Sequence, residues 1–122
     1  MSDVQHNNMG PVRPADDEAK AVFREVKQAV VDRLHELKHL DNVHDLHELD
    51  DLKTIDFYKL VEYATEEVAY GINYFGKIEI DDDKYIHVRC HKSNDNKIDF
   101  YSILTEGTAI WSREEPLKYF ID

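Results

Sequence analysis

Apolar residues along the chain fall into two different periods, and each period predicts an element. From Asp16 to about Leu40, Ala19, Val22, Phe23, Val26, Val30, Leu34 and Leu37 recur at helical spacing and make one apolar stripe. Asp16, Asp17 and Glu18 crowd the start of this stretch and Lys38 and His39 lie near its end, which complements a helix dipole. No proline or glycine interrupts it, so one long helix is predicted. From Gly71 to Ser93 the period changes to two. Ile72, Tyr74, Ile78 and Ile80 share one face of a strand, opposite Asn73, Phe75, Lys77 and Glu79. The Asp81-Asp82-Asp83-Lys84 run favours a turn. After it, Ile86, Val88 and Cys90 alternate with Tyr85, His87, Arg89 and His91. The pattern predicts a hairpin buried on one face only, with His87, Arg89 and His91 on the solvent side. A two-stranded ribbon is marginal in water, so the helix is expected to cover its apolar face.

The remaining segments fill in around these two. Residues 1–8 are polar and expected to be a disordered tail, and Met9 to Pro14 is expected to be extended and unable to join a central strand ladder. Leu40, Val43, Leu46, Leu49, Leu52 and Ile55 recur every third residue, so 38–56 is read as an inserted helical or loop segment. Strands are predicted from Phe57 to Ala69, from Ile98 to Thr105, and within Ala109 to Phe120 with an interruption near Pro116. Ser93 to Lys97 is a turn. Gly76 marks a bend where the sheet curves. One helix followed by consecutive strands indicates an α+β domain with an antiparallel sheet packed on the helix. With 122 residues, 9–122 is expected to be a single domain.

Charge narrows the function. Fifteen Lys and Arg stand against twenty-six Asp and Glu, a formal net charge of −11. Nucleic acid and acidic membrane surfaces are poor partners for such a chain. The first residues contain no apolar leader and no run reaches transmembrane length, so a cytoplasmic protein is expected. Cys90 cannot form an internal disulfide and is read as a small buried thiol. His35 and His39 are four residues apart, and His44 and His47 three apart, but they sit among acids without cysteine. A solvated face is the reading, with no metal and no cofactor expected. The triple aspartate lacks the remaining positions of a calcium loop. No nucleophile–base set or phosphate-cradling glycine loop stands out, so the chain is not read as an enzyme.

Asn73-Tyr74-Phe75, Lys77, Asp83-Lys84-Tyr85, His87 and Lys92-Ser93 together resemble the central hairpin of the stefins, the small disulfide-free cystatins. Glu115 to Phe120 is similar to the stefin C-terminal strand, and Pro14-Ala15 to the stefin helix entry. The resemblance implies a cystatin-like fold, one long helix wrapped by a curved antiparallel sheet. It also implies reversible inhibition of papain-like cysteine proteases by a wedge of an N-terminal trunk and two hairpin loops. Mapped on this chain, the trunk is Met9 and Gly10, and the first loop, which carries QxVxG in the family, is Glu67-Val68-Ala69-Tyr70-Gly71. The second loop is Asn94, Asp95 and Asn96. Glu67 stands where glutamine is expected, Ala69 where the central valine would be, and Tyr70 at a usually small position. A register starting from Glu66 is the alternative, and the second loop lacks the Leu-Pro pair often seen in stefins. The link from the helix to Phe57 is about a dozen residues longer than in stefins. A monomer is expected, with a hairpin-swapped dimer left open. Two other functions stay open: a non-inhibitory interaction module on the same fold, and a metal- or pH-responsive binder acting through the histidines.

Overall fold

The computed structural model describes residues 7–40, 58–106 and 108–121. Its elements are β1 (Arg13–Pro14), α1 (Asp17–Glu25), α2 (Lys27–Leu40), β2 (Lys59–Val68), β3 (Gly71–Asp81), β4 (Lys84–Ser93) and β5 (Ile98–Ile103). The strands form one sheet in the order β1-β2-β3-β4-β5, with every neighbouring pair antiparallel. Short β1 occupies the edge beside β2, where a proline without an N–H is tolerated. The insert expected over 38–56 lies outside the described residues apart from the helical backbone of 38–40, as do residues 1–6.

The helical stripe folds as two segments where one was expected. Asp16 caps α1, its Oδ1 accepting the Ala19 N–H at 2.8 Å while its Oδ2 accepts the Tyr63 hydroxyl at 2.6 Å. These bonds, Tyr63 first, hold the Asp16 carboxyl below its usual range. Val26 leaves helical geometry at φ −97° and ψ 5°, and its carbonyl then accepts the Val30 N–H to start α2. The apolar face continues through the break. Val22, Val26, Val30, Leu34 and Leu37 are all buried, in one core with Ile78, Ile86, Val88, Cys90 and Ile103. Gly76 sits under this helix: a Cβ there would stand 2.5 Å from the Phe23 ring, so its absence lets helix and sheet approach closely.

The second face of the hairpin is the main correction. Asn73, Phe75, Lys77, Tyr85 and His87 are buried, and Arg89 and His91 are half-buried. The chain beyond β5 folds back across this outer face. Leu117, Tyr119 and Phe120 pack on Phe75 in a second apolar cluster. Lys77 Nζ donates to the carbonyls of Arg113 and Glu115, the latter at 2.8 Å, and Arg89 Nη1 donates to the Phe120 carbonyl at 2.9 Å. The segment does this without the predicted strand. Among the described residues, 109–120 makes only a single bridge, Trp111 with Tyr85. Lys77 gives the Arg113 and Glu115 carbonyls a side-chain donor, and Pro116 has no N–H to offer a ladder. The outer residues look polar in sequence, but their long side chains serve as anchors for the segment above them.

Candidate functional site

β2 and β3 are joined by a tight connection at one end of the sheet, and β4 and β5 by another at the same end. The first turns at Ala69-Tyr70 between Val68 and Gly71, which pair with each other. Gly71 has φ +147°, and a Cβ there would fall 2.1 Å from the Lys92 carbonyl oxygen. Only glycine meets both demands. The second connection closes on itself: Ser93 and Lys97 pair N–H to carbonyl at 2.9 Å, and Asn96 donates to the Ser93 carbonyl at 2.9 Å. Ser93 Oγ donates to Asp95, which with the Lys97 N–H lowers the pKa of the Asp95 carboxyl.

The two connections touch. Asn94 donates its backbone N–H to the Tyr70 carbonyl at 3.1 Å and its Nδ2 to the Ala69 carbonyl at 3.3 Å. The N-terminal stretch arrives beside them, with the Gly10 N–H on the Thr65 carbonyl at 2.8 Å and Met9 bridged to Glu66. Met9, Gly10, Glu67 to Gly71 and Asn94 to Asn96 are thus brought to one edge of the molecule. Glu67, Ala69, Tyr70, Asn94, Asp95 and Asn96 are exposed there, Met9, Gly10 and Val68 half-buried, and Gly71 buried.

Sequence reasoning missed what holds the trunk in place. The Glu66 side chain is fully buried. Its Oε2 accepts the Asn8 N–H at 3.1 Å and its Oε1 accepts Asn73 Nδ2 at 2.9 Å, while Asn73 Oδ1 lies 2.8 Å from His91 Nδ1. A buried carboxylate persists only when so bonded. The chain Asn8–Glu66–Asn73–His91 therefore ties the trunk across β2, β3 and β4. Nothing in the sequence separates Glu66 from Glu67. The signal is the register, in which Glu66 faces Asn73 and Asn73 faces His91.

Chemically this edge offers backbone groups, the Glu67 carboxylate, the Tyr70 ring and the polar side chains of Asn94 to Asn96. Cys90, whose thiol burial pushes up in pKa, lies fully buried in the helix-facing core. Among the described residues no group of three His, Cys, Asp or Glu is placed to hold a metal ion, and no helix is long and apolar enough to cross a membrane. His35 belongs to α2, while the side chain of His39 and both His44 and His47 lie outside the described residues.

An α+β domain of five antiparallel strands on two helical segments, with a trunk and two loops meeting at one edge, is consistent with the cystatin-like class. The chain is similar to cystatin-A of Felis catus, with 29% identity over 84 residues, covering 69% of this chain and 67% of that one. No family model matches it.

Proposed function

We propose that this chain is a reversible inhibitor of papain-like cysteine proteases, acting in the cytoplasm as a stoichiometric blocker and not as an enzyme. The observation that carries the reading is the joining of Met9-Gly10, Glu67–Gly71 and Asn94–Asn96 into one edge by backbone and Asn94 hydrogen bonds. Such an edge enters a cleft with little entropy left to lose. It fills the space beside the protease thiolate without offering a bond for cleavage. The distant relationship to cystatin-A supports the same reading.

The departures in the first loop set its strength. Glu67 brings a carboxylate near a thiolate, and its desolvation is unfavourable without a partner. Tyr70 is 75% exposed at the turn, a bulky ring at the leading point. Titration of papain with the purified protein should show reversible inhibition. Changing Glu67→Gln, Ala69→Val and Tyr70→Ala together should tighten it, chiefly by slowing dissociation. Tighter binding by the natural loop would make Tyr70 an anchor. Absence of inhibition by either form would move the function to an interaction module on the same fold, a reading that the exposed Tyr70 also favours.

A further inference from the structure

Large apolar side chains left in water are unevenly distributed over this protein. Among the described residues there are five: Val12, Val61, Tyr70, Tyr101 and Ile121. Three of them, Tyr70, Tyr101 (51% exposed) and Ile121 (37% exposed), line one open groove of about 880 Å³ on the outer face of the sheet. Arg89 and Tyr119 line it with them, and so do Glu67 to Tyr70 of the first loop. The groove is therefore continuous with the loop edge, and a body seated on the first loop meets it directly.

The groove is also held ready. The Arg89 guanidinium lies 4.4 Å from the Tyr101 ring centroid and 5.3 Å from those of Phe75 and Tyr119, while bonding the Phe120 carbonyl. Ser102 Oγ donates to the Ile121 carbonyl at 3.2 Å, which ties Ile121 to β5. Tyrosines with few rotatable bonds, stacked on an arginine, are the residue types that carry most binding energy at protein interfaces. Exposed large apolar side chains gathered in one groove mark an interaction surface.

We propose that this groove is a second contact surface that grips the rim of the protease beside its cleft, with Tyr101 and Ile121 setting which protease is held. The proposal rests on the inhibitory reading given above. The rim it fits is apolar at its centre, to cover Tyr101 and Ile121. Basic groups at its periphery suit a chain of net charge −11.

The test is a set of inhibition constants for papain and a second papain-like enzyme, using the full chain and the variants Tyr101→Ala, Tyr101→Phe, Ile121→Ala and, as a control, Val61→Ala. Tyr101→Ala should weaken inhibition about tenfold through faster dissociation. Tyr101→Phe should retain it, Ile121→Ala should weaken it less, and Val61→Ala should not change it. Melting temperatures report whether any loss comes from folding instead. If the natural chain inhibits and both Tyr101→Ala and Ile121→Ala inhibit equally well, the groove is not a protease contact and the inhibitory reading stands alone. The groove proposal is likewise overturned if those variants disrupt only self-association in sedimentation. If the natural chain inhibits neither enzyme, the inhibitory reading fails and this proposal fails with it.

Discussion

Gly71 and Gly10 both stand in the candidate edge, but for different physical reasons. At Gly71 the backbone is at φ +147° and the neighbouring Lys92 carbonyl leaves no room for a Cβ. At Gly10 the nearest atom to a built Cβ is the Thr65 carbonyl oxygen at 3.6 Å, an ordinary contact. Gly71→Ala should therefore destabilise the protein by about 2 kcal/mol, in the range for a strained backbone position. Gly10→Ala should melt as the natural chain does. Denaturant melts of the two variants decide the matter, and equal melts would remove the strain argument. Any loss of protease binding in Gly10→Ala then reports the surface of the partner and not the fold of this chain.

For the elements, the telling relation is between the β3–β4 hairpin and the segment that crosses it. Lys77 is buried and donates to two backbone carbonyls that no strand ladder serves. Its ammonium also lies 5.3 Å from the Tyr85 ring centroid and 3.8 Å from Glu62 Oε1. Replacing it by methionine keeps the stem and removes the donor, leaving the Arg113 and Glu115 carbonyls without it. Lys77→Met should cost about 1–3 kcal/mol. Hydrogen exchange should show the loss first at 111–120, with Val30, Ile78 and Val88 still protected. Uniform loss of protection would mean that the outer segment and the inner core open as one unit.

In the whole molecule, one buried base couples folding to pH. His87 is fully buried, stacked 5.6 Å from the Trp111 ring centroid, with neither ring nitrogen hydrogen-bonded. Burial, and then the nearby Lys77 charge, lowers its pKa from 6.5 to about 4. The folded protein thus binds this proton less well than the unfolded chain. The contribution to stability is complete above pH 6.5 and is lost as pH falls through about 4. The separation of these values corresponds to a loss on the order of 3 kcal/mol. Melting temperature should fall between pH 6.5 and 4, and His87→Phe, which keeps the stack on Trp111, should flatten that fall. An unchanged slope in the variant would assign the acid sensitivity to other groups. The lowered carboxyls of Asp16 and Asp95 lose their contribution only as pH falls below 3.8, outside this window.

Periodicity along the chain was enough to determine the helical stripe from Ala19 to Leu37, the strict alternation of the β3–β4 hairpin, and hence the α+β class, because burial of one face imposes its period on the residues that supply it. The candidate loops were legible through turn-forming residues and through resemblance. What the sequence did not determine was everything that depends on which surface lies above which. His87 and Lys77 alternate correctly for solvent, and only the return of 108–121 across the sheet buries them. Glu66 and Glu67 are the same residue side by side, and only the pairing of Glu66 with Asn73 turns one inward while its neighbour stays in water. Local patterns record how a strand meets its own two faces. The partner on each face comes from distant chain, and contacts between distant segments leave no period in the sequence.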